Sequence, residues 1–239
     1  MSVMKDSALQ LESRFSLAPN SLGYCGQKSA VAKFKKCISY NKCDGVKEEL
    51  KNFIVLYPYL KTLSKILKKP YSSYSVIEGY WLGNDKLKKA KQKDYFLLLN
   101  NFAKQGVPDF FIEELKTKKP KKFIPNHLFH VLFICVCKAG GAVPFNLESI
   151  NNCMIRWGKV IKFSKKEAII NLNSLKKRGK NGYTLTKVKA QIPFNSKFTH
   201  GLKVEDMVAV HWNLVVKILT SSEEKNLEFW SAKACQLFS

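Results

Sequence analysis

From Gln27 to Leu115 the apolar residues recur every three or four positions, the spacing of helices that bury one face. Val31, Phe34 and Ile38 mark one such helix over 27–40, and others are predicted over 46–56, 58–67, 73–82, 94–105 and 109–115. Pro58 fits the first turn of its helix. The charged run 85–93 reads as a solvated face or connection, and Lys116–Lys122 as a basic loop around Pro120. Asn126 is placed to cap a more apolar helix that runs to Cys137 and stops at Gly140-Gly141. Ahead of all these, residues 1–13 read as a mobile arm. Residues 14–26, with Pro19-Asn20, Gly23 and Gly26, read as a turn-rich segment.

Beyond Pro144 the period shifts towards two. Strands are predicted over 153–163, 167–172, 183–192 and 207–211, with a hairpin turn over 176–182 centred on Arg178-Gly179-Lys180-Asn181-Gly182. Residues 212–219 continue as a helix. Thr220-Ser221-Ser222-Glu223 opens a last helix over 221–237 as a capping box. The fold class expected is α+β: an all-helical domain over 1–143, then a small OB-like β-barrel with a C-terminal helix over 144–239.

With 239 residues, 46% of them apolar, the chain has material for a large core. No window approaches the roughly 18 apolar residues of a membrane span, and no apolar signal region opens the chain. A cytoplasmic protein is expected. Its seven cysteines are irregularly spaced and form no C-x-x-C pair, so reduced thiols are expected rather than a disulfide framework or a zinc ribbon.

The net charge of +23 points first to nucleic acid. Yet nearly all the cations are lysine. Arginine, whose planar fork suits phosphate and base edges, occurs only at Arg14, Arg156 and Arg178. The lysine excess accompanies a general richness in Asn, Ile and Phe, so composition accounts for the charge better than a nucleic-acid site does.

Candidate chemistry rests on five residues. Cys153 opens an apolar, β-prone run, and His211 closes the strand 207–211. A thiolate and an imidazole at two strand ends would meet across a small barrel as metal ligands. A possible secondary site comprises Cys25, just ahead of a helix N-terminus that would favour its thiolate, and His127 with His130, three apart on one helical face. Cys37 and Cys43 match no metal motif.

The C-terminal third also resembles a known family. Cys153-Met154-Ile155-Arg156-Trp157-Gly158-Lys159-Val160, then Glu205-Asp206-Met207-Val208-Ala209-Val210-His211, then Leu219-Thr220-Ser221-Ser222-Glu223-Glu224 follow in order the motifs of the small HypC/HupF [NiFe]-hydrogenase maturation chaperones. The match spans about 152–238. It implies an OB-type barrel plus helix, with Cys153 and His211 in the positions that hold iron transiently. It also implies a HypD-like scaffold and the hydrogenase large-subunit precursor as partners. Four features depart from that pattern, one being a longer segment between the first two motifs. In addition, Cys153 is internal rather than N-terminal, Trp157 replaces a proline, and the helical half has no counterpart. The segment Pro19-Asn20-Ser21-Leu22-Gly23-Tyr24-Cys25-Gly26 and the helix start His127-Leu128-Phe129-His130 resemble those of an uncharacterised family.

The function expected is therefore that of a non-enzymatic assembly factor or metallochaperone, holding an iron centre or a maturation partner. A nucleic-acid-binding OB-like module, using Lys176-Lys177-Arg178 with Tyr183, is the alternative. An enzyme with Cys25 as nucleophile and His127 or His130 as base ranks last, since no oxyanion motif accompanies them.

Overall fold

A computed structural model describes residues 6–135, 143–144, 146–179 and 182–238. The helices are α1 (Ala8–Ser21), α2 (Ala30–Tyr40), α3 (Val46–Leu50), α4 (Leu56–Leu67), α5 (Tyr74–Trp81), α6 (Asp94–Lys104) and α7 (Asp109–Thr117). A single turn α8 (His127–Phe129) runs into a π-helical stretch, His130–Cys135, and α9 (Leu147–Cys153) precedes the sheet. The strands β1 (Arg156–Phe163), β2 (Glu167–Arg178), β3 (Gly182–Pro193), β4 (Met207–His211) and β5 (Leu214–Ile218) are followed by α10 (Ser221–Cys235). The class is α+β. The Gly140-Gly141 boundary and Cys137 lie outside the described residues.

Residues 6–13 are not an arm. Ser7 and Gln10 form a capping box, the Ser7 hydroxyl accepting from the Gln10 N–H and the Gln10 amide oxygen accepting from the Ser7 N–H. Leu11, Phe15 and Ala18 then bury one face of α1. The helix continues through the segment read as turn-rich and contains Pro19. Asp6 anchors its start, pairing with Arg14 at 2.9 Å and with the buried Lys217 of β5 at 3.0 Å.

All strand pairs are antiparallel, in the order β3-β2-β1-β4-β5. The sheet is not closed; one parallel bridge, Phe194 to Val215, curls the end of β3 towards β5. Gly158 allows β1 to cross close to β2, since a Cβ there would meet the Asn171 carbonyl oxygen at 2.2 Å. Along β4 both faces are buried. Val208 and Val210 join the sheet's own apolar cluster, and Ala209 joins the large core of the helices. That large core runs from Leu11 and Phe15 through Tyr59 and Trp81 to Trp157, Val216 and Trp230, so helices and sheet share it.

Four expectations are corrected. Residues 214–218 are a strand, not a helix. Trp212 and Asn213, with φ of 48° and 53°, make a tight hairpin turn from β4 into β5. Cys153 ends a helix rather than opening a strand: Asn146 caps α9 through the Ser149 N–H, and β1 starts only at Arg156. Lys176, Lys177 and Arg178 lie in β2 and pair with Thr184, Tyr183 and Gly182 of β3, so these three are strand rather than turn. Cys37 and Cys43 are joined by a disulfide. Asn41, at φ 53°, turns the chain back after α2 and brings the two Cα atoms to 4.4 Å.

Candidate metal centre and cavity

The chain's proline and asparagine patterns decide where three side chains meet. In α1 the carbonyl of Phe15 has no helical partner, because the residue four positions on is Pro19, which lacks an N–H. His211, at the end of β4, donates its Nδ1–H to that carbonyl at 2.7 Å. A carbonyl only accepts, so the neutral ring carries its proton on Nδ1 and leaves a lone pair on Nε2. That Nε2 is buried and faces the Cys153 carbonyl without making a hydrogen bond of good geometry to it.

Asparagines align the second element. The Trp212 N–H donates to the Asn152 carbonyl at 2.8 Å. Arg156 reaches the side-chain oxygens of Asn213 at 2.6 Å and Asn152 at 3.3 Å. The end of α9 is thereby tied to the β4–β5 turn, and Cys153 is set beside His211. The third residue comes from α8, capped by Asn126 through the Phe129 N–H. His127 donates from Nε2 to the Cys153 carbonyl at 2.7 Å, so its Nδ1 accepts from the Tyr80 hydroxyl at 3.0 Å. Its Nε2 also lies 3.8 Å from the Cys153 sulfur.

One ligand atom from each of His127, Cys153 and His211 falls within 4.8 Å of the others. Ligands around a tetrahedral zinc-like ion stand about 3.5 Å apart, so a small contraction would close the set. The orphaned Nε2 of His211, held from behind by a carbonyl, has the arrangement of a metal-ligating imidazole. His127 fits as third donor if it passes its proton to Nδ1, with the Tyr80 oxygen then accepting.

Burial governs the protonation states. It lowers His127 to about 4 and His130 to about 3, the latter helped by the neighbouring His127. His211 also lies well below its ordinary value, through burial and then His127. Burial, with Cys25 nearby, raises the Cys153 thiol well above its usual range. Trp81 packs against both His127 and His211, with ring centroids 4.6 and 5.5 Å away. Its indole N–H is held at 2.9 Å by the buried Glu12, whose carboxyl burial raises from 4.5 to about 7.

The three residues lie at the floor of a cavity of about 530 Å³, which Cys25 and His130 also line. All five residues singled out from the sequence therefore share one cavity. His127 rather than His130 stands with Cys153 and His211; His130 packs edge-on against Tyr59, and its Nδ1 is unpartnered. Cys25 sits at the rim. No helix start activates it, because α2 begins five residues later and its Ser29 makes no side-chain cap. Its side chain is open to solvent, and the protein packed behind it only pushes the thiol up from its ordinary value rather than activating it. Asn20 holds this rim, donating to the carbonyls of Cys25 at 2.7 Å and Gln27 at 2.9 Å. Gly26 lies so close to Phe53 that a Cβ would come within 2.5 Å of its ring.

Sequence reasoning missed Pro19, Asn152 and Tyr80. Of these only Pro19 carried a signal, as a proline inside an otherwise helical apolar pattern. Among the described residues no helix is long and apolar enough to cross a membrane. No curated protein and no solved structure matches the chain. Over residues 4–238 it matches a family of unknown function (DUF6390), and it belongs to that family.

Proposed function

We propose that this protein is a cytoplasmic, non-enzymatic assembly factor that takes up a soft transition metal, iron foremost, on Cys153 and His211 with His127 as third donor. The observation carrying this reading is the convergence of the three side chains, with the Nε2 lone pair of His211 left unpaired in the interior. A buried acceptor without a partner costs about 1–3 kcal/mol, and a bound ion would offset that. Thiolate and imidazole are donors that suit a low-spin ferrous ion.

The resemblance to HypC/HupF chaperones supports iron as cargo, with a HypD-like scaffold and a hydrogenase large-subunit precursor as partners. The open sheet, curled by the Phe194–Val215 bridge, we read as a relative of their OB-like barrel. Because Cys153 is internal and buried, exchange with a partner would run through the cavity rather than from an exposed chain terminus.

The test is anaerobic purification of tagged protein from its own cells, with iron analysis and infrared spectroscopy. Iron with cyanide and carbonyl stretching bands, both lost in Cys153→Ala, is the expected result. Protein that carries no iron and takes up neither Fe(II) nor Co(II) in vitro would overturn the reading. Nucleic acid is the weaker reading. Lys176, Lys177 and Arg178 are exposed, but Arg14 and Arg156 are engaged internally, leaving Arg178 alone to read bases or phosphates.

A further inference from the structure

We propose that the cavity above the metal centre binds a neutral, mainly apolar small molecule. Its volume of about 530 Å³ far exceeds what a single ion occupies, and it lies within the roughly 300–1,000 Å³ of small-molecule sites. The wall is built from Tyr24, Phe53, Val55, Trp81, Pro108 and Trp212, among others. Tyr24 and Trp212 pack together on it with ring centroids 4.5 Å apart.

The sharper observation concerns charge. This chain has 41 lysines and arginines and a net charge of +23, yet among the described residues no Lys, Arg, Asp or Glu lines the cavity. An anionic ligand such as a phosphate or carboxylate would leave water for a wall with no cation to receive it, at a large desolvation cost. A neutral ligand meets no such cost and gains from apolar burial. Its polar contacts would come from uncharged groups: the Cys25 thiol and the side chains of Gln27 and Asn52 at the rim, and the unpartnered His130 Nδ1 and His211 Nε2 at the floor.

Access is built in. The rim is formed by the α1–α2, α3–α4 and α6–α7 connections, where Cys25, Gly26, Asn52, Ile54, Gly106 and Pro108 are all exposed. The floor, by contrast, is buried. The ligand would therefore enter between the three connections and lie over the histidines. This inference does not rest on metal binding, because the wall and its lack of charge belong to the metal-free chain.

The experiment uses chelator-treated protein and two fluorescent probes of one aromatic shape: neutral N-phenylnaphthylamine and its anionic sulfonated analogue, anilinonaphthalene sulfonate. Saturable one-to-one binding of the neutral probe, at least about tenfold tighter than the sulfonate, is expected. The neutral probe should also slow maleimide labelling of Cys25. Val55→Trp, which fills the cavity, should abolish both effects while the protein still melts cooperatively; Ile54→Trp replaces it should that variant not fold. The inference is overturned by non-saturable binding, by a sulfonate that binds as well as the neutral probe, or by a filled cavity that binds as before. Metal uptake, measured separately, can fail without altering these outcomes.

Discussion

Glu12 is a carboxyl in the wrong solvent, and its replacement by glutamine gives a calculable result. The side chain is wholly buried, receives the Ser16 hydroxyl at 2.6 Å and the Trp81 indole N–H at 2.9 Å, and is raised from 4.5 to about 7 because desolvation outweighs both bonds. A carboxyl whose folded pKa is raised binds protons more tightly in the native state. Stability therefore falls as the pH climbs from about 4.5 to about 7, and it is level beyond. At 1.36 kcal/mol per unit that rise is worth roughly 3 kcal/mol. Glutamine keeps the shape, accepting from Trp81 and donating to Ser16, but carries no charge to desolvate. Urea unfolding of both proteins should be followed from pH 4.5 to 8, with the disulfide intact. Contributions from the buried histidines are common to both and cancel in the difference. Glu12→Gln should gain on the wild type by most of that ~3 kcal/mol across the range. Parallel pH profiles would show that Glu12 is not buried as an ionisable group, and the reasoning would fail.

Three further outcomes follow from the site. Pro19→Ala supplies an N–H that competes with His211 for the Phe15 carbonyl; by the usual effect of losing such a support, Co(II) affinity should drop about 10- to 100-fold while stability rises, and unchanged affinity would refute the role given to Pro19. Co(II) uptake should release one proton, because the Cys153 thiol is protonated and His127, at about 4, is already neutral. Between pH 6 and 8 the apparent affinity should then climb about tenfold per unit, and a pH-independent affinity would exclude the thiolate. His130 is held at about 3 against an ordinary 6.5, so the native state loses stability as the pH falls from 6.5 towards 3. His130→Phe should unfold at a distinctly lower pH in an acid titration followed by circular dichroism.

The α+β class, β4 and the capped final helix were legible because their signals are local: alternating Val208 and Val210, and a Thr220–Glu223 box whose two bonds form as written. β5 was not, because a tryptophan is an unusual residue for a left-handed turn and gave no hairpin signal. α1 was obscured by Pro19, which reads as a breaker yet sits where its missing N–H is used. The site shows the same division. Cys153 and His211 stood out through their motifs, but that His127 rather than His130 stands beside them depends on the Asn152–Arg156–Asn213 links and the Tyr80 hydroxyl. Those are contacts between segments far apart in sequence, and no periodicity encodes them.

The hydrogen bond from His211 to the Phe15 carbonyl joins positions 196 residues apart. During synthesis α1 emerges early and its vacant carbonyl must wait for almost the whole chain before β4 arrives to fill it. No chain that stops short of β4 can present the three side chains together, and the C-terminal third expressed by itself would lack the group that orients His211. Capture of a ligand at this floor would therefore register that α1 and β4 have met, and a copy cut short of β4 would be left empty-handed.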